Sequence, residues 1–114
     1  MEQKQVNNVN NVKPKQNLGN AVLIGGKPIM NYVTAVITQF SGGQKEVIVK
    51  SRGKFISRAV DTAEIVTKRF MKDLVKIEKI TTNSEEFINS EKRNVRVSGI
   101  EIVLQTINKW GEKW

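Results

Sequence analysis

The first part of the folded chain combines a continuous apolar run with apolar positions at helical spacing. Residues 21–24 are all apolar and are followed by Gly25-Gly26, which predicts a short strand buried on both faces. Pro28 favours the first turn of a helix, and Gly42-Gly43 favours its end. The apolar positions that we expect on the buried face of this helix are Ile29, Val33, Val36, Ile37 and Phe40.

A second strand and a second helix follow. Residues 46–50 predict another buried strand, and residues 51–53 predict a turn. From about Lys54 to Phe70, apolar residues again recur at helical spacing. The stripe that we expect to face the core consists of Ile56, Val60, Ala63, Val66 and Phe70.

The last two elements are predicted to be strands. Residues 75–82 and 95–104 predict strands, and the polar segment 83–94 between them predicts a long hairpin loop. The element order is then β-α-β-α-β-β, an α/β fold. A helical crossover makes the strands that flank it parallel and is almost always right-handed, whereas the final hairpin is antiparallel.

Both ends of the chain differ in composition from its middle. Residues 1–19 are rich in Asn, Gln and Lys and predict a disordered, mildly basic arm. Residues 20–105 predict one compact domain, and residues 106–114 form an extension with Trp110 and Trp114. No apolar run approaches the roughly 20 residues of a membrane span, and the N-terminus has no apolar signal segment. We therefore expect a cytoplasmic protein with no membrane partner.

The composition excludes several kinds of catalytic and metal site. Cys and His are absent, which excludes Cys/His zinc sites, cysteine nucleophiles and histidine general bases. The two aspartates, Asp61 and Asp73, are not paired for acid–base chemistry, and no Walker-type phosphate loop follows Gly25 or Gly26. We therefore expect a protein that is not an enzyme and that has no cofactor and no metal ion.

The charge indicates a polyanionic partner. The chain has 19 Lys and Arg against 11 Asp and Glu, a net charge of +8, and residues 1–58 carry +7 of it. Nucleic acid is the first partner that such a balance favours. An anionic membrane surface is second on charge alone, and we do not expect it as a partner.

The predicted topology places three basic segments at one edge of the sheet. Ligands of parallel sheets bind beyond the carboxyl ends of the strands, and the loops there lead into helix N-termini that favour phosphate. The segments are residues 25–28, residues 51–54 and the hairpin loop. Simpler interpretations are a strand-to-helix turn, solvated charges and a loop neutralised by its glutamates. The candidate nucleic-acid-binding residues are Gly26, Lys27, Arg52, Lys54, Lys92, Arg93 and Arg96.

Aromatic residues are scarce at this edge, where only Phe55 and Phe87 are expected. Proteins that bind single strands stack bases on aromatic rings. The scarcity therefore favours double-helical nucleic acid that is bound through its backbone.

A resemblance to a known family rests on six segments. They are VLIG (22–25), KPIMNYV (27–33), RGKFISRAVD (52–61), EIV (64–66), RF (69–70) and VSGIEI (97–102). In this order, over roughly residues 20–105, they closely resemble the Alba family of archaeal chromatin proteins, which bind DNA and RNA. The resemblance implies a two-layer sandwich like the C-terminal domain of translation initiation factor three.

The resemblance also implies a dimer with two body surfaces and two β-hairpin arms. The loop cations would contact the DNA backbone, and the hairpin cations would reach a minor groove. Phe70, with Arg69, would join one dimer to the next along DNA, while packing of Phe70 in the core is the alternative. The best-known members of the family carry a lysine that can be acetylated where this chain has Gly26.

The function that the resemblance implies is coating and compaction of double-stranded DNA with little sequence preference, together with binding of RNA. The expected location is the chromosome, in the cytoplasm. The implied protein partners are a second copy of the chain, a paralogue in a heterodimer, and further dimers on DNA. An RNA-binding subunit of a ribonucleoprotein particle, either ribonuclease P-like or ribosome-associated, is the alternative.

Overall fold

The computed structural model describes residues 20–107, which contain four strands and two helices in the predicted order. The elements are β1 (Ala21–Leu23), α1 (Ile29–Ser41), β2 (Glu46–Arg52), α2 (Ile56–Ile65), β3 (Val75–Ile88) and β4 (Asn94–Thr106). A 3-10 turn, Gly53–Phe55, leads into α2, and a π-helical turn, Val66–Phe70, follows it. The predicted disordered arm, residues 1–19, and both tryptophans lie outside the described residues. Of the helices described, none is long and apolar enough to cross a membrane.

The four strands form one mixed sheet in the order β1-β2-β4-β3. As predicted for strands that flank a helical crossover, β1 and β2 are parallel, with Val22 beside Val49. β4 is antiparallel to both β2 and β3, so it lies between them. The carboxyl ends of β1, β2 and β3 therefore point to the same edge of the sheet.

The hydrophobic core lies between the two helices and one face of the sheet. α1 contributes Val33, Val36 and Phe40, as its apolar spacing predicts. Sheet residues that alternate along β2 and β4, such as Val49 and Ile102, complete the core. Because the helices cover only one face, the prediction that residues 21–24 are buried on both faces is wrong, and Leu23 is 72% exposed.

The buried face of α2 differs from the predicted stripe. Val60 is 41% exposed, and the buried positions of the helix are Ala59, Thr62 and Ala63. The Thr62 hydroxyl donates to the Arg58 carbonyl oxygen at 2.8 Å, which satisfies this polar group inside the core. Ala63 and Val66 are buried as predicted. An apolar-spacing argument misses a buried threonine, and it selects the exposed Val60 in place of the buried Ala59.

The segment predicted as a long hairpin loop is a two-stranded ribbon. β3 and β4 stay paired from Asn83 beside Gly99 to Ile88 beside Asn94, and only residues 89–93 form the turn. The Asn89 carboxamide oxygen closes that turn by accepting from the backbone N–H groups of Glu91 and Arg93. Because both faces of the ribbon are largely exposed, its sequence shows no strand-like alternation. We call residues 83–99 the arm and the rest of the described chain the body.

A matched pair of leucine variants tests the assignment of buried and open faces. Leu104→Ala empties a fully buried core position on β4 and should cost about 2–5 kcal/mol of unfolding free energy. Leu23→Ala makes the same change on the open face and should alter stability by only about 0.5 kcal/mol. Urea unfolding followed by circular dichroism at one protein concentration measures both. Equal losses would show that the outer face of the sheet is covered in solution.

Candidate nucleic-acid interface

The first basic loop, residues 25–28, is held by two side chains, Tyr32 and Arg58, that are not among the predicted site residues. The Tyr32 hydroxyl oxygen accepts hydrogen bonds from the backbone N–H groups of Gly25 and Lys27, both at 3.0 Å. Arg58, on α2, donates to the carbonyl oxygens of the same two residues, at 2.9 Å for Gly25. We call this arrangement the Tyr32–Arg58 clamp. It fixes the loop backbone from both sides and leaves the Lys27 side chain exposed.

Gly26 lies inside this loop but has no conformational need to be glycine. Its φ is not among the positive values of the described residues. A Cβ at this position would lie 3.9 Å from the Phe55 ring, an ordinary van der Waals contact. Packing therefore leaves room for a side chain at position 26. Glycine at this exposed position leaves the backbone uncovered by a side chain.

The second basic loop, residues 51–54, follows β2 directly. Gly53 has a φ of 60°, a left-handed conformation that glycine adopts without steric cost. The turn that it permits leaves Arg52 and Lys54 exposed on either side. The Lys54 ammonium lies 5.5 Å from the centre of the Phe55 ring, within the range of a cation–π contact.

The loop cation Arg52 is linked to the arm. Its Nη1 atom lies 3.3 Å from Oε1 of Glu85, and both side chains are exposed. An exposed ion pair of this kind contributes at most about 1 kcal/mol, so Arg52 can exchange the carboxylate for another anion. In the sequence, Glu85 is one of the glutamates that neutralise the hairpin, and it lies 33 positions from Arg52.

The three predicted arm cations lie at or near the tip. Lys92 and Arg93 belong to the turn, where Lys92 has a φ of 64°, and the Arg93 Nε atom lies 3.9 Å from a carboxylate oxygen of Glu91. Arg96 is on β4 opposite Glu86 in the strand register, and both are exposed. The arm cations are therefore separate from the two loop cations and extend the basic surface away from the body.

The two loops and the base of the arm meet around one groove. The groove has a volume of about 780 Å³, and its lining includes Gly25, Arg52, Lys54 and Glu85. The predicted convergence of the basic segments on one edge thus holds for the loops and the arm base. The lining does not include Lys27, Lys92, Arg93 or Arg96, which lie on the surface around it.

Phe70 and Arg69, predicted to join neighbouring dimers, lie on the surface and not in the core. Phe70 is 53% exposed at the end of the π-helical turn, and Arg69 beside it is exposed as well. The alternative of plain core packing for Phe70 is therefore wrong. Leu74, four residues further on, is exposed as well.

Metal chemistry finds no support in the described residues. Within residues 20–107, no group of three or more Asp, Glu, His or Cys side chains is placed to hold a metal ion. The exposed cations of the two loops and of the arm offer guanidinium and ammonium groups, which bind anions.

Comparison with known proteins extends these observations. The sequence profile of the Alba family matches residues 20–84. Over 86 residues, the chain is 57% identical to DNA/RNA-binding protein Alba 1 of Archaeoglobus fulgidus, which spans 75% of this chain and 93% of that protein. It is 50% identical over 86 residues to DNA/RNA-binding protein Alba of Methanocella arvoryzae, spanning 75% of this chain and 88% of that protein.

A solved structure agrees with the sequence relatives. Alba from Thermoplasma volcanium superposes on this chain with a TM-score of 0.70 and 44% sequence identity, covering 75% of this chain and 99% of that one. The predicted α/β fold class and the predicted resemblance are both confirmed, and this chain belongs to the Alba family.

Proposed function

We propose that this protein binds double-stranded DNA through the DNA backbone with little sequence preference, coats and compacts it, and also binds RNA. Two relatives that share 50% and 57% of the aligned residues are named DNA/RNA-binding proteins. The observation that carries the proposal is the placement of exposed cations on two loops at one edge of the sheet and on the arm that leaves that edge. We infer from this placement that the protein acts by binding nucleic acid and not by catalysis.

The helix N-termini behind the two loops support binding to phosphate. In the described structure, neither α1 nor α2 has an acidic residue in its first turn or a side chain that caps its first N–H groups. The helix dipole at these ends is therefore free to favour an anion. Lys27 and Lys54 lie beside these two ends, so that a side-chain cation and a helix end can act on the same phosphates.

The arm suits a groove of the double helix. A two-stranded ribbon is narrow, and its turn is ordered by the two hydrogen bonds to Asn89. Arg93 and Arg96 provide guanidinium groups, which the negative potential of a narrow minor groove attracts. We infer that the arm reaches into the minor groove while the two loops contact the backbone.

The proposed binding to DNA also leads to a proposed assembly and cellular location. The chain forms a homodimer, or a heterodimer with a paralogue, so that two arms hold one duplex. Neighbouring dimers touch through Phe70 and Arg69, which are exposed and free of the core. In the cell, the protein then lies on the chromosome, in the cytoplasm.

The salt dependence of binding to a random-sequence duplex tests the proposed function. A dimer that neutralises about 6 phosphates should show log affinity falling against log salt with a slope of about −5. Arg52→Ala and Lys27→Ala should each weaken binding similarly across sequences and, because a homodimer loses the cation twice, flatten the slope by up to about two units. Fluorescence anisotropy over a salt series measures both quantities.

Lys45→Ala is the matched control for these variants. Lys45 is an exposed cation that precedes β2, so it lies at the opposite edge of the sheet from the two loops. Its loss should leave the slope unchanged, and circular dichroism should be the same for all three variants. An affinity that does not depend on salt, or equal effects at both edges, would contradict the proposal.

The Tyr32–Arg58 clamp should act on affinity without adding charge. Tyr32→Phe keeps the ring but removes the oxygen that accepts hydrogen bonds from both loop amides. The loop of the free variant is then less ordered, and ordering it on DNA costs part of the binding free energy. We expect affinity to fall several-fold with the salt slope unchanged. In this background, Lys27→Ala should cost less than it does in the wild type. Strictly additive losses in that double-mutant cycle would show that the clamp does not position Lys27.

Phe70→Ala should separate stability from cooperativity. Because Phe70 is half exposed, its loss should change unfolding free energy by only about 1 kcal/mol or less. Binding isotherms on long DNA should become less steep, while affinity for a short duplex that holds one dimer stays the same. A stability loss of about 3–5 kcal/mol with unchanged cooperativity would instead indicate a buried role.

A further inference from the structure

The groove at the base of the arm contains the two aromatic residues that the sequence placed at the binding edge. Phe55 and Phe87 both line it, one from the 3-10 turn and one from the arm. Phe87 is 48% exposed, and Leu23 and Val97 provide further apolar surface beside it. The scarcity of aromatic residues in the sequence favours double-helical nucleic acid. The fold, however, brings the two aromatic residues of this edge together in one groove.

Polar groups for recognition lie in the same groove. Asn83 lines it and lies over Gly99 of β4, where a Cβ would come within 2.8 Å of the Asn83 carboxamide oxygen. Glycine at this position is therefore what allows the carboxamide to lie across the strand. A carboxamide offers both a donor and an acceptor, which is the pairing that a base edge requires.

The charges around the groove fit one nucleotide and its phosphate. Arg52 and Lys54 supply cations at the rim, while Glu85 and Glu101, which also line the groove, supply carboxylates that can accept from exocyclic amino groups. Each glutamate lies within ion-pair distance of a cation, Arg52 for Glu85 and Lys50 for Glu101. Charged pairs of this kind are depleted in the centre of protein–protein interfaces, which argues against a second copy of the chain as the occupant.

We propose that this groove binds one unpaired nucleobase of a nucleic acid whose backbone lies on the two basic loops. The base stacks on Phe87, its edge meets Asn83, and its phosphate meets Arg52 or Lys54. This rests on the proposed function, since the groove lies next to the surface that we assign to the duplex. It adds a preference: duplexes that contain a bulged nucleotide bind more tightly than perfect ones.

A pair of short duplexes tests this, one perfect and one with a single bulged cytidine, whose exocyclic amino group suits the groove carboxylates, but otherwise identical. By fluorescence anisotropy, the wild-type protein should bind the bulged duplex about tenfold more tightly. Phe87→Ala should bring the ratio of the affinities for the bulged and the perfect duplex to about one, and the salt slope on the perfect duplex should keep its value because no cation is lost. Phe87→Tyr should keep the preference, because tyrosine retains the stacking face.

Ile88→Ala is the matched control on the same strand. Ile88 is 68% exposed and lies beside Asn94 in the register, so it faces the side of the ribbon opposite to Phe87. This variant should retain the full preference for the bulged duplex. With 5-iodocytosine at the bulge, ultraviolet crosslinking of the wild type should map by mass spectrometry to Phe87 or Phe55.

The outcomes separate the two proposals. Equal wild-type affinity for both duplexes, with the expected salt slope, would overturn the base-binding groove and leave the proposed function standing. A preference that survives Phe87→Ala would overturn it as well. A change of oligomeric state in Phe87→Ala, measured by sedimentation, would instead show that a second copy of the chain fills the groove. Failure of salt-dependent binding to the perfect duplex would overturn the proposed function itself.

Discussion

The arrangement of this molecule depends on the pairing of β4 with two different partners. Along its whole length β4 pairs with β3, but only its second half, from Gly99 onward, also pairs with β2. The body and the arm are therefore parts of one continuous hydrogen-bonded ladder, and the arm begins where β2 ends. Because Arg52 is the last residue of β2 and lies beside Gly99, the second basic loop is placed at the base of the arm.

The parallel β1–β2 pair makes the other half of this arrangement. It brings the ends of both strands, and so both helix-leading loops, to the edge from which the arm emerges. The Tyr32–Arg58 clamp then holds the first loop to both helices at once. A loop that is already ordered loses less conformational freedom on binding, which leaves more of the electrostatic attraction available as affinity. The ordered loops can bind the phosphates that lie on the body, and the arm can bind the same nucleic acid further from the body.

Sequence periodicity was reliable where one side of an element faces the core and the other faces water. For α1, the predicted positions Val33, Val36 and Phe40 are the buried ones. It was less reliable for α2, because Thr62 satisfies its hydroxyl within its own helix and occupies a core position that an apolar count passes over. For residues 83–94, periodicity predicted a loop where the structure has a paired ribbon. A ribbon that is exposed on both faces needs no alternation of apolar and polar residues, so its sequence carries no strand signal.

The sequence alone determined three properties, because each is a local property of the chain. They are the order of the elements, the excess of cations in the first half, and the lack of Cys and His. The family resemblance likewise rested on contiguous segments. What only the tertiary structure decided was which distant residues meet: Arg58 reaches Gly25 and Arg52 reaches Glu85, each across 33 positions of the chain. Those contacts, like the meeting of Phe55 and Phe87 in one groove, depend on strand order and register, which are set by packing the whole sheet against its helices and cannot be read from any one segment.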